Sequence, residues 1–458
     1  MATSAYANII TVTNTNDIGP GSLRQALAVA HDGDRIIFTV SGTIILTSGA
    51  LVVASNVTIS GPGSNHLSID GNQASLVFGI FPDKTATISD LTIRNGQTGI
   101  WNDGGTLTVS NCAVSGNSEG GLFNGGVLTV SNCDVSGNLY GIYNSQYVLT
   151  VIHCDISGNS YGIYNYYGEA SVSNCIVSSN QYGGVFNYGV SGGPNDQILS
   201  GFLAIADSII NDNSGPGVDN NAGGVTIVDT TINGNSVGKT GGQSDVGGGV
   251  YTYQYGGKIP GNLTVMNSTI SGNFASSAGG GIACGKSGLT IIDSTISGNS
   301  AGAYGGGIVG GSFGMMIVNS TVSGNSAATC GGLCGGGVEI GNTILNANES
   351  GNIDGTVTSH GYNISSDDAG GLLTGPGDQI NTDPLLGPLQ DNGGSTFTHA
   401  LLRGSPAIDA GDPNFNPPPF NDQRGSPFDR VFNSRIDIGS FETQPPRRRP
   451  RSTPPPRP

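Results

Sequence analysis

Short alternating runs dominate the chain: apolar, polar, apolar, then Gly, Asn or Ser. VLTVSNCDVSGN (127–138) shows the pattern. Its Leu and Val positions alternate, and no apolar stripe at i, i+3, i+4 is present. Such β-branched runs, broken by Gly and Asn, predict strands and turns rather than helices. The pattern also recurs. SNCDVSGNLYGIYN (131–144) returns almost unchanged as HCDISGNSYGIYN (153–165), and Cys112, Cys133, Cys154 and Cys175 share one spacing of 21 residues. The unit continues as DSIINDN, DTTINGN, NSTISGN, DSTISGN, NSTVSGN and NTILNAN, where Ser208, Thr230, Ser268, Ser294, Ser320 and Thr343 take the Cys position. A fixed period of this length marks a solenoid. A unit holding two or three short strands is one coil of a single-stranded parallel β-helix, so the predicted class is all-β. Coils stack at about 4.8 Å, and equivalent residues form columns.

Three columns follow from the repeat. The cysteines point inward, where a thiol packs as well as Ser or Thr. The position before them (Asn111, Asn132, His153, Asn174, Asp207, Asp229, Asp293) is expected to stack polar groups along the axis and to satisfy turn backbone. A third column comes from GIWN, GLFN, GIYN, GIYN and GVFN. It aligns Trp101, Phe123, Tyr143, Tyr164 and Phe186 behind the core positions Ile100, Leu122, Ile142, Ile163 and Val185. Strand alternation turns these five rings outward. They would span roughly 19 Å, a length suited to several units of an extended saccharide. These rings are the candidate ligand-binding residues, with a neutral polysaccharide or cell-surface glycan as the partner; the alternative is that the outward rings stack on each other and shield the sheet.

Residues 8–50 are read as an N-terminal cap with the first strands. Ser22 and Gln25 have capping-box spacing, and Leu23, Ala26, Leu27 and Ala30 make one apolar face. A short helix there would cover an otherwise open end of the stack. Residues 51–355 carry the repeats, with excursions at 189–206 and 236–262 expected to project as loops. Residues 356–442 form a C-terminal cap. Residues 443–458, TQPPRRRPRSTPPPRP, read as an extended disordered tail.

Composition narrows the function. The net charge is −16, and five arginines lie after Glu442 with no acid, which leaves −21 for the remainder. Between Arg94 and Arg403 the only cationic side chains are Lys239, Lys258 and Lys286. A nucleic-acid partner needs clustered cations and is excluded. A polyanionic glycan would need calcium to bridge the acids, so only adventitious calcium is expected, with no cofactor. No apolar stretch is long enough to span a membrane. Seven cysteines are present. The four in one column are expected as buried thiols. Cys330 and Cys334, in CGGLC, can pair across a loop, with Cys284 close by; CxxxC alone is a weak metal signal.

Catalytic candidates are thin. Asp134 and Asp155 should sit side by side and outward on adjacent coils, and Asp207, Asp212, Asp219 and Asp229 make a second acidic group. Glycoside hydrolysis needs two carboxylates about 5–9 Å apart, and lyase chemistry wants a basic residue that neither group has nearby. Both are read as solvated acidic edges. No catalytic residue and no metal ligand is assigned. His399 and Arg424 are expected to tie the C-terminal cap together.

The stretches GDQINTDPLLGPLQDNGGSTFTHALLRGSPAIDAGD (377–412) and NDQRGSPFDRVFNSRIDIGSFE (421–442), with the opening VTNTNDIGPGSLRQAL, resemble bacterial proteins with a choice-of-anchor Q domain. The resemblance implies a right-handed, pectate-lyase-like β-helix at the cell surface or secreted outside it; a monomer is expected. It supplies no reaction and no catalytic residues. The expectation is therefore an extracellular surface or binding protein, with a polysaccharide lyase or glycoside hydrolase on the same scaffold as the rival.

Overall fold

The computed structural model describes residues 7–191, 198–199, 201–238, 245–254, 261–311 and 313–444. It is a right-handed parallel β-solenoid of about 14 turns. Each coil places one strand on each of three faces. Val127–Ser131, Asp134–Ser136 and Tyr140–Ser145 are three successive examples. The second face is an unbroken 14-stranded parallel sheet. Register from coil to coil is one-to-one, as in Val135↔Ile156 and Ile142↔Ile163. Period-2 alternation therefore sends the same position inward every time. Val114, Val135, Ile156 and Val177 are fully buried in one such column, and Ile100, Leu122, Ile142 and Ile163 in another.

The N-terminal helix spans Leu23–Val29. The Ser22 side chain accepts from the Gln25 amide, and the Gln25 Oε1 accepts from the Gly21 amide at 3.0 Å. Leu23, Ala26 and Leu27 are buried and join the core of the first coils. Ala30 is the C-cap in an extended conformation, where the apolar face ends.

The cysteine column is inward as expected. Cys112, Cys133, Cys154 and Cys175 are buried free thiols. Each backbone N–H donates to the sulfur of the next coil at 3.4 Å. Cys175 donates to Ser208 Oγ at 3.1 Å, and the hydroxyls of Thr230, Ser268, Ser294, Ser320 and Thr343 continue the series. A thiol and a hydroxyl are interchangeable here because each accepts one backbone N–H per coil. Cys330 and Cys334 form the expected disulfide, while Cys284 stays a thiol donating to Ser287 O.

The amide stacking lies elsewhere than expected. The positions before the cysteines, Asn111, Asn132, His153, Asn174, Asp207, Asp229 and Asp293, all have φ between 46° and 54°. They turn a left-handed corner, which Asn and Asp tolerate better than most residues. The buried ladder is the Asn that closes the corner after each second-face strand: Asn117, Asn138, Asn159, Asn180 and Asn213, continuing to Asn348. Asn138 shows the pattern. Its N–H and Nδ2 both donate to Asn159 Oδ1 at 3.0 Å, and Nδ2 also reaches the carbonyls of Val114 and Ser136. A second ladder runs Asn102, Asn124, Asn144, Asn165, Asn187, Asn220 and Thr252. A buried amide is tolerable only when its groups are paired, and one-to-one register pairs them in every coil.

The C-terminal part does two things. Ala369 and Leu373 cover the apolar end of the last coil. Residues 383–442 then run back along the flank of the second face. His399 Nε2 meets Ser297 Oγ at 2.9 Å while its Nδ1 meets Gly387 O at 2.7 Å. Gln423 Nε2 donates to Thr269 Oγ1 and Thr396 Oγ1, and its Oε1 accepts from Thr295 Oγ1 at 2.6 Å. Ser440 reaches Thr295 and Thr321. Arg424 pairs with Asp422, donates to the Glu442 carbonyl, and lies between the Phe428 and Phe441 rings. His399 and Arg424 thus tie this segment to the coils and to itself. Residues 445–458, most of the expected tail, lie outside the described residues, as do parts of the two excursions.

Candidate ligand-binding face

The third face carries the aromatic column. Gly-Ile-Tyr-Asn fits it because each residue has a separate duty. The glycine allows close stacking: a Cβ on Gly141 would come within 2.6 Å of the Gly162 carbonyl. The aliphatic residue is inward, the ring is outward, and the Asn enters the second ladder. Register confirms the alignment Trp101↔Phe123↔Tyr143↔Tyr164↔Phe186.

The rings stack on one another. Successive centroids are 5.3, 5.0, 5.3 and 5.6 Å apart, with interplanar angles of 10°, 28°, 8° and 23°. Their faces are thus largely occupied by their neighbours. Of the two expectations for the column, ring-on-ring stacking is present, and the five rings are not equally exposed. Trp101 is 44% exposed, Phe123, Tyr143 and Tyr164 are half-buried, and Phe186 is 5% exposed and belongs to the packed layer.

Further rings join the column. Tyr140, Tyr161 and Tyr182 form a parallel one, at 5.0 Å per step, and stand edge-on to the first at 75° and 90°. On the other side Tyr188 stacks on Tyr164 at 5.1 Å, and Tyr251 on Tyr253 at 4.5 Å. Burial pushes the phenols of Tyr143, Tyr161, Tyr164, Tyr188, Tyr251 and Tyr253 upward, so they stay neutral donors. The second column was legible in the repeated Tyr of YGIYN, one position before the invariant-spaced glycine.

At the corners just before Tyr140, Tyr161 and Tyr182 runs a trough of about 350 Å³ that the three rings themselves do not line. Its walls are Gly116, Asn117, Gly137, Asn138, Gly158 and Asn159, with Ser118, Leu139, Ser160 and Gln181 at the rim. No ionisable side chain lines it. Tyr182 is 43% exposed at its edge.

The column is interrupted once. Asp219 occupies the row after Phe186, and Tyr251 the row after that. Asp219 is 8% exposed, and its Oδ1 has no hydrogen-bond partner among the described residues. Burial pushes this carboxyl up to about 7. It is therefore a side chain of the aromatic face, not of an acidic cluster. Asp207 and Asp229 lie together at one corner of the coil, where burial raises the Asp229 pKa, and Asp212 turns another corner. The expected second acidic group is dispersed because its members occupy different positions of the repeat. Asp134 and Asp155 are in register on the second face, side by side and outward as expected. No group of acids, histidines or cysteines is placed to hold a metal ion among the described residues.

Residues 41–198 match the family model described as a right handed beta helix region. These residues are part of the coil stack, which continues to Ile364–Ser365. No curated protein matches the chain in sequence. Among solved structures it is similar to the pectate lyase Pel9A, at 14% identity and a TM-score of 0.40 over 96% of this chain and 97% of that one. The A-module of the Azotobacter vinelandii mannuronan C-5 epimerase AlgE4 gives 13% and 0.41 over 80% and 97%. PfbA, a surface adhesin of Streptococcus pneumoniae, gives 12% and 0.37 over 75% and 89%. Likeness at these values carries no activity over to this chain. No helix among the described residues is long and apolar enough to cross a membrane.

Proposed function

We propose that this chain is an extracellular, monomeric surface protein that binds an extended polysaccharide along the third face. The observation that carries the reading is the uncharged trough whose rim residues Leu139, Ser160 and Gln181 each directly precede a ring of the Tyr140, Tyr161 and Tyr182 column. Rings offer sugars apolar contact, and neutral phenols with backbone groups offer hydrogen bonds. A repeat at about 4.8 Å per coil lets one polymer meet the same environment several times. The stacked column of Trp101, Phe123, Tyr143, Tyr164 and Phe186 then serves as the support that holds the trough-side tyrosines upright. The disulfide between Cys330 and Cys334 fits an oxidising location. We also read residues 377–442 as the choice-of-anchor Q signature, whose conspicuous residues Gln423, Arg424 and Ser440 serve the flank segment.

A glycan array followed by calorimetry tests the reading. Tyr140→Ser with Tyr161→Ser should weaken a measured polysaccharide affinity at least tenfold, about 1.4 kcal/mol, with little change in Tm. Tyr143→Ser with Tyr164→Ser should lower Tm as well, because those rings are packed on both sides. Unchanged affinity in the first pair would leave the rings as scaffold only.

The enzyme reading is favoured by one observation, a buried carboxyl that holds its proton close to neutral pH beside tyrosines. A reducing-end and unsaturated-product assay on the same polysaccharides separates the two readings.

A further inference from the structure

The trough has a definite length, and one position of the repeat sets it. The residues that follow Arg94, Ser115, Ser136, Ser157, Ser178 and Asn211, which pair in register from coil to coil, are Asn95, Gly116, Gly137, Gly158, Ser179 and Asp212. All six turn a left-handed corner, with φ between 51° and 66°. Glycine suits that backbone, but Asn95, Ser179 and Asp212 adopt it too, so what the three consecutive glycines add is room. A Cβ on Gly158 would meet nothing within 4 Å, and one on Gly137 nothing closer than 3.7 Å. The trough follows Gly116, Gly137, Gly158 and Ser179 and stops where Asn95 and Asp212 take the position. Glycine returns at Gly234, but there the corner leads into the extra strand Ser236–Val237 before the third face begins. Four rows make three steps of about 4.8 Å, roughly 14 Å in all.

The polar groups along the trough repeat with the coils. The amides of Asn117, Asn138 and Asn159 are committed to the buried ladder. The carbonyl oxygens of Gly116, Gly137 and Gly158 accept from no described residue. Each of these coils therefore offers one uncommitted acceptor, and the rim adds Ser118, Ser160 and Gln181 as polar groups and Leu139 as an apolar one. A matching ligand is uncharged and straight, and brings one hydroxyl donor per coil step. Pyranoses joined through equatorial bonds at C1 and C4 form an extended ribbon that advances by about one coil step per unit. An α-1,4-linked chain coils and a β-1,3-linked chain curves, so both leave a straight corner.

We infer that the trough takes a neutral β-1,4-linked hexose chain lying along the solenoid axis, one unit per coil over four coils. This rests on the polysaccharide-binding reading above and names the linkage and the length it selects. The test is calorimetry of the full chain with neutral β-1,4-linked hexose oligomers of two to six units, beside α-1,4- and β-1,3-linked oligomers of the same lengths. Affinity should rise with each β-1,4-linked unit up to four and then level off. The four-unit oligomer should bind at least about tenfold more tightly than its α-1,4- and β-1,3-linked counterparts. Gly158→Asn puts a side chain into the middle row on a corner that Asn95 shows to be tolerated, and should weaken that oligomer about tenfold with Tm unchanged. Gly158→Ser copies the row of Ser179 and should retain most of the affinity. Equal or tighter binding of another linkage, or a gain that ends before four units or continues past them, overturns the inference. The polysaccharide reading then stands if Tyr140→Ser with Tyr161→Ser still weakens the binding observed. Unchanged affinity in Gly158→Asn also overturns the inference, and no binding of any oligomer overturns both readings.

Discussion

Asp219 shows how much one residue can depend on its row. A carboxyl free in solution titrates near 4, and burial among rings moves this one up to about 7. Between those values the folded chain binds a proton that the unfolded chain has released, so stability falls as pH rises through that window. Tyr188, Tyr251 and Tyr253 are the titratable groups that face it, and all stay neutral there. Asp219→Asn should therefore leave Tm unchanged near pH 4 and raise it at pH 8; equal shifts at both pH values would contradict the burial. The cysteine ladder gives a second prediction at this scale. Burial and the hydrogen bond to the preceding thiol push Cys133 and Cys154 up to about 12. A thiol reagent should find negligible reaction in the native protein and five reactive cysteines once it is unfolded, with the disulfide intact. Fast native labelling of the column would show that the coils open locally.

Within one coil, the two kinds of Asn look alike in sequence and behave oppositely. Asn159 sits in the buried ladder. It accepts from both Asn138 N and Nδ2 at 3.0 Å and donates to Val135 O at 2.9 Å. Asn159→Ala strands those donors in the interior, at about 1–3 kcal/mol for each buried group left unpaired. Asn132, with φ of 51°, holds a corner. Asn132→Gly keeps that conformation available and should cost a few tenths of a kcal/mol at most. Denaturant melts of the two variants check the contrast, and equal losses would mean that the ladder contributes nothing beyond its backbone shape. Strand positions and inward columns were legible from alternation and period. The roles of the polar positions were not, because the sequence shows that an Asn recurs and not which way the corner turns it.

The flank segment belongs to the scale of the whole molecule. Residues from Ser395 to Ser440 touch coils that lie more than a hundred positions earlier, as in His399 to Ser297 and Gln423 to Thr269. The apolar core of the coils does not depend on them; Ile344, Ile364, Leu401, Ala407, Ile438 and Phe441 form a separate cluster. Gln423→Ala removes the side chain that joins Ser268, Thr269, Thr295 and Thr396. Limited proteolysis should then cut within 383–442 at least several-fold faster, leaving the coils resistant. Digestion of the coils at the same rate would show that the segment and the solenoid unfold as one unit. Although residues 356–365 still pair with the preceding coil, that a C-terminal segment would leave the repeat was plain from its loss of period. Its course along the second face was not, since the outward Thr269, Thr295 and Thr321 look in sequence like any solvent-facing strand residues.

The sequence by itself determined the parallel coil, its inward apolar columns, the buried thiols, the helix at the start and the alignment of Trp101, Phe123, Tyr143, Tyr164 and Phe186. All of these are consequences of local alternation and of a constant period, which any reader of the chain can count. Tertiary structure alone decided that those rings stack on one another rather than stand free, that a trough opens at the corners before Tyr140, Tyr161 and Tyr182, that Asp219 is enclosed, and that the C-terminal segment lies on the flank. Each of these depends on the distance and direction between side chains of different coils, and a period fixes which residues are neighbours without fixing how their side chains share the space between them.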